Sequence, residues 1–152
     1  MVQTEDATSL IHIVLTGSTT PAVKDAVSNL TLPSFGWRLD DQPVAASLIA
    51  VLQGAARRYV ADPAAAGCLV LEGVHCQDAD ARGAAGEWHA AARAKIQQYI
   101  ARQHPQDALR VTDYMDTLML GLSAKAREGD SLPRLLETVR LAGVALERIL
   151  PA

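Results

Sequence analysis

The chain has 152 residues, the length of one ordinary domain, with 49% hydrophobic and 20% charged residues, which excludes a disordered segment. No apolar stretch approaches the ~18 residues of a membrane-spanning helix, and from the acidic start Met-Val-Gln-Thr-Glu-Asp, without Lys or Arg, no secretory signal peptide is expected. Fourteen Lys and Arg against seventeen Asp and Glu leave a net charge of −3, which argues against a nucleic-acid surface.

Alanine is the commonest residue, with 27 copies, and leucine follows with 19. Both are strong helix formers, aromatics are only 4%, and β-branched runs are short, so the expected class is all-α. Two cysteines do not make a disulfide framework, and a reducing, cytoplasmic setting is the simplest expectation.

Residues 1–43 are read as a helix and loop segment that packs on the same domain. Leu10 to Val27 is one imperfect helix broken at Gly17 to Pro21, or two short pieces, and Leu32 to Trp37 reads as a loop. The order apolar run, Gly17, helix start is also that of a dinucleotide fold. Only one of the three required glycines is present and no second unit follows, so a nucleotide site has little support.

Residues 44–152 carry the clear helical pattern. Asp40 or Asp41 is expected to cap a helix with Pro43 in its first turn. Val44, Leu48, Val51, Leu52, Ala55 and Tyr59 form its apolar face. Asp62-Pro63 stops it and starts a second helix, Ala64 to Cys76, that is apolar nearly all round and so belongs at the centre of a bundle. Gly67 and Gly73 would let neighbours approach closely there. A third helix runs from about Ala79 to Gln103, with Trp88, Ala92, Ile96, Tyr99 and Ile100 on one face, and His104-Pro105 ends it. A fourth spans about Pro105 to Glu128, with Val111, Met115, Leu118, Leu122 and Ala126 as its stripe and Gly129 as the left-handed residue after it. Ser131 caps the last helix, whose Leu132, Leu135, Leu136, Val139, Ala142, Gly143, Leu146, Ile149 and Leu150 recur at helical spacing. The last two helices, joined by a short link, read as an antiparallel hairpin. The whole is an antiparallel bundle of about five to six helices.

Glu72, His75 and Cys76 are the densest cluster of reactive side chains. Glu72 and His75 share a helix face, but a metal would need a third ligand, and adjacent His and Cys do not give base-to-nucleophile geometry. The bland reading is a small buried thiol beside a satisfied imidazole. A third reading makes them polar groups in an apolar pocket, with Tyr59, Trp88 and Tyr99 as wall. The sequence has no His-Glu-x-x-His, P-loop or Gly-x-Ser-x-Gly, so catalytic residues, metal and cofactor are all expected to be none.

Asp62-Pro-Ala-Ala-Ala-Gly-Cys-Leu-Val-Leu-Glu-Gly resembles the entry into the central helix of TetR-family transcriptional regulators. Asp116-Thr-Leu-Met-Leu-Gly-Leu-Ser-Ala-Lys-Ala-Arg-Glu-Gly-Asp resembles that family's penultimate helix, and a leucine-rich last helix follows. The resemblance covers about Asp40 to Leu150. It implies the C-terminal domain of a repressor, with an unknown small apolar effector held between the middle helices (candidates Tyr59, Glu72, His75, Cys76, Trp88 and Tyr99). It also implies a homodimer through the last two helices, with Tyr114, Leu118, Gly121, Leu122, Leu135, Val139 and Leu146 as interface candidates. The apolar excess around Met119 to Leu122 suits a partner face on its own account. The family's helix-turn-helix signature is not found in residues 1–43, where Lys24 and Arg38 are the only bases, so no DNA is expected to be bound by these residues. A small helical enzyme or metal protein using Glu72, His75 and Cys76 is the alternative, and a plain helical interaction protein without a pocket is a third.

Overall fold

The computed structural model describes residues 43–67, 71, 73 and 77–152. Among these it is all-α, with four helices and no strand. They are α1 (Val44–Tyr59), α2 (Ala79–Ala101), α3 (Ala108–Arg127) and α4 (Leu132–Ile149), with a 3-10 turn at Pro63–Ala65. Leu71 and Gly73 are helical as well. The expected five to six helices include one in the first forty residues, which lie outside the described part.

The chain divides into two compact units. One holds residues 38–67 and 96–152, and α1 is its axis. Both α3 and α4 pack on α1, and α4 does so more extensively than it packs on α3. The reason is visible in α1 itself. Val44, Leu48, Val51, Leu52, Ala55, Ala56 and Tyr59 are all buried, an arc broad enough to take two helices. From α3 come Val111, Met115, Leu122 and Ala126, and from α4 Leu135, Val139, Ala142 and Leu146. Gly143 lets α1 come close: a Cβ there would stand 3.2 Å from Ile49 Cδ1. The hairpin partner expected for α4 is therefore secondary, and α1 is its main support.

The other unit holds residues 1–37 and 68–95. Leu71 and Ala85 are buried in it. A Cβ on Gly73 would meet Ala85 Cβ of α2 at 2.8 Å, a close approach that a glycine permits.

The helix ends differ from expectation in three places. Pro43 stands at the N-cap of α1 and not in its first turn, and the Asp40 and Asp41 caps lie outside the described residues. Ser131 is the N-cap of α4, yet its hydroxyl makes no capping bond, and Pro133 sits in the first turn as expected. Asp62 does cap the next segment, accepting from Ala64 N at 2.9 Å. That segment is only a 3-10 turn, however, and not the start of the central helix. Ala66 is extended, and Gly67 turns left-handed at φ 89°, its N–H donating to Tyr59 O at 2.9 Å. A helix cannot run through that geometry. Elsewhere the ends follow the sequence. Asp78 Oδ1 accepts from Asp80 N at 2.9 Å and Ala81 N at 3.0 Å at the start of α2. Gly129, at φ 96°, closes α3 in a Schellman motif, with Gly129 N donating to Ala126 O and Asp130 N to Lys125 O.

Candidate functional site

The pocket candidates fall in three places. Tyr59 is the last residue of α1 and is buried. Tyr99 is buried near the end of α2. Both belong to the unit built on α1, whereas Trp88, half-buried on α2, belongs to the other. Glu72, His75 and Cys76 lie outside the described residues. Among the described residues no three of His, Cys, Asp and Glu come together as a metal site would require.

The interface candidates divide by burial. Leu122, Leu135, Val139 and Leu146 are sealed in the chain's own core. The sequence reading has them face a second copy; within this chain α1 supplies the apolar surface that those side chains need. Tyr114 and Leu118 are half-buried, and Gly121 is exposed, with open space where a Cβ would project.

The outward face of α4 was not singled out in the sequence. Leu141 is 58% exposed and Val144 60% exposed, and they stand three residues apart on one side of the helix. Helical spacing adds Glu137 one turn before Leu141 and Arg148 one turn after Val144, both exposed. The signal was present as two large apolar residues off the main stripe. The stripe at Leu135, Val139, Ala142 and Leu146 is stronger and hid it.

Charge on these helices is local. Glu137 pairs with Arg140 at 2.6 Å, Lys125 with Glu128 at 2.8 Å, Asp107 with Arg110 at 2.6 Å and Asp130 with Arg134 at 3.2 Å. The hydrogen bond from Arg140 holds the Glu137 carboxyl below its ordinary range and raises the Arg140 guanidinium. Exposed pairs within one helix add little stability, so these shape the surface more than they hold the fold. No described helix is long and apolar enough to cross a membrane.

Comparison with known proteins gives the decisive likeness. Over 128 residues, 84% of the chain, the sequence is 52% identical to the HTH-type transcriptional repressor BdcR of Escherichia coli (strain K12). The chain spans 65% of that repressor's length. A shorter likeness, 40 residues at 65% identity, is shared with the gluconate 2-dehydrogenase cytochrome c subunit of Pantoea cypripedii. It covers 26% of this chain and 9% of that protein. Cys68 and Cys76 are the only cysteines and do not form Cys-x-x-Cys-His, so no haem-attachment motif comes with it. No protein-family profile matches the chain, and no solved structure does.

Proposed function

We propose that the chain is the effector-binding and dimerisation part of a TetR-like transcriptional repressor. The observation that carries this reading is the 52% identity over 84% of the chain to a transcriptional repressor. The all-helical fold and the order of the helices fit it. The likeness to a non-enzymatic regulator weighs against a small enzyme built on Glu72, His75 and Cys76.

In this reading a small effector is held by the unit built on α1, with Tyr59 and Tyr99 among the residues that bind it. An effector regulates only if it binds one arrangement of the protein better than another, and the coupling equals that difference in affinity. DNA is read by a helix-turn-helix that residues 1–43 do not supply.

The second copy docks on the outward face of α4. Its residues suit a two-fold axis. When two α4 helices run antiparallel about a point between Ala142 and Gly143, Leu141 meets Val144 of the other copy and Glu137 meets Arg148. Such self-complementarity is what an isologous interface requires. Apolar residues at the centre with opposite charges at the rim are the expected anatomy.

A hybrid tests the regulator reading. The matched region of the Escherichia coli repressor is replaced by that of this chain, and repression of a reporter is measured. Retained repression is expected. A hybrid that is folded and dimeric yet does not repress would overturn the reading.

A further inference from the structure

Arg134, Glu137, Arg140, Glu147 and Arg148 are the charged residues of α4, and the first three are matched within the chain. Arg134 pairs with Asp130. Arg140 holds Glu137 in a fork, Nη2 donating to Oε1 at 2.6 Å and Nε to Oε2 at 3.0 Å. Glu147 and Arg148 are left over. Ion pairs within a helix need partners three or four residues away. At those spacings the two meet only Gly143, Val144, Ala145, Leu150, Pro151 and Ala152. Among the described residues no ion pair involves either of them. Both are exposed, adjacent and of opposite sign.

Their place around the helix is specific. At about 100° per residue, Glu137, Leu141, Val144 and Arg148 fall within about 60° of one another, opposite the core stripe of Val139, Ala142 and Leu146. Arg140 and Glu147 lie about 20° apart on one flank of the outward stripe. The other flank carries Thr138 and Ala145 over the same length and holds no charge. Steps of four, three and four make a coiled-coil seam, and the flanking charges of such a seam set partner and direction.

In the antiparallel contact proposed above, Glu137 of one copy meets Arg148 of the other. The two-fold axis keeps equivalent flanks on the same side, so Arg140 faces Glu147 of the second copy. Their heights differ by two residues, about 3 Å, which a guanidinium side chain spans. Arg140 spends two of its N–H donors on Glu137 and has others left. In a parallel contact equal heights would meet, and Glu137 would face Glu137 and Arg148 face Arg148.

We infer that four alternating charges close each end of the contact between copies: Arg148 of the second copy, Glu137, Arg140, and Glu147 of the second copy. Leu141 and Val144 supply the attraction. The charges select the partner: an antiparallel second copy of this chain, and not a helix with a similar apolar seam and another charge pattern. The inference rests on the dimer proposed above and names the residues that make it selective.

The test reverses all four signs in one isotope-labelled chain: Glu137→Arg, Arg140→Glu, Glu147→Arg and Arg148→Glu. Composition and net charge stay those of wild type. The variant is checked for native helicity and for its own dimer, then mixed with wild type, and native mass spectrometry counts the mixed dimers. It is expected to pair with itself as wild type does. Mixed dimers are expected about ten-fold or more below their statistical share, because every attraction between copies becomes a repulsion, and the deficit should shrink in high salt. Mixed dimers at or above the statistical share overturn the inference, an excess meaning that like positions meet. A folded variant that does not pair with itself also overturns it. A wild type that is monomeric at tens of micromolar overturns it together with the dimer, whereas a dimeric wild type that mixes freely overturns the charge network alone. Should the reversed chain not fold, Arg140→Gln and Glu147→Gln are compared. Each is expected to raise the dimer dissociation constant about five-fold, two exposed pairs being lost per dimer, and the double variant to raise it no further. Additive or absent effects overturn the inference.

Discussion

Gly67 is the residue where backbone conformation and packing coincide. Its φ of 89° is one that side chains resist, and a Cβ there would stand 2.7 Å from Arg127 Cγ and 3.0 Å from Ser123 Oγ. Gly67→Ala should therefore lower stability by about 1–3 kcal/mol, measured as a fall in the urea midpoint. Adding Arg127→Ala should recover the steric part of that loss and not the conformational part; full recovery would show that φ is not strained. Glu137 gives a second residue-scale prediction. Its folded-state pKa is lowered by the hydrogen bond from Arg140. Its contribution is thus present above the unfolded-state pKa and is lost as pH falls through the lower folded-state value. Wild type and Glu137→Gln should differ slightly in Tm near neutral pH and converge at acid pH, the pair being exposed. A gap that widens on acidification would contradict the assigned cause. These details were only partly legible. The sequence marks Gly67 as permissive, but the neighbour that makes the glycine necessary, Arg127, lies far along the chain.

Helix ends decide how the elements hold. The carboxylate of Asp78 serves two free N–H groups at the start of α2. That start is otherwise exposed, from Gln77 to Ala84, so little packing supports it. Asp78→Ala should cost about 0.5–2 kcal/mol and speed amide exchange in the first turn of α2, with α3 and α4 unaffected. Unchanged exchange there would place the helix start elsewhere. The end of α3 was legible from Gly129 alone, because a left-handed position after an apolar stripe has few solutions. The central segment was not. Asp62-Pro63 is a strong helix-start signal and the structure honours it with a cap, yet Gly67 breaks the run after a single 3-10 turn. Ser131 shows the reverse. Its position as N-cap was legible, and the side-chain bond that should accompany it is missing.

At the scale of the whole molecule, α4 has two apolar faces with different tasks. One packs on α1 and holds the chain together. The other carries Leu141 and Val144 into solvent. Leu146→Ala should destabilise by about 2–5 kcal/mol, because it opens a cavity in the core. Leu141→Glu should leave helicity intact and halve the mass seen by light scattering at tens of micromolar, because only the proposed contact between copies is charged. A wild type that is monomeric at that concentration would remove the dimer from the proposal. Glu137→Arg should weaken the dimer, and Arg148→Glu in the same chain should restore it, if the two-fold register holds.

Helical class, the approximate positions of the four described helices and the apolar faces of α1, α3 and α4 followed from the sequence, because the 3.6-residue period is a local property. The resemblance to repressors was carried by short motifs whose order survives without any contact information. The sequence could not say which apolar stripe meets which. Leu122, Leu135, Val139 and Leu146 read equally well as core or as interface, since both bury the same side chains. Only the tertiary structure assigned them to the core, because α1 presents a buried arc wide enough for α3 and α4 together and so satisfies their stronger faces within one chain.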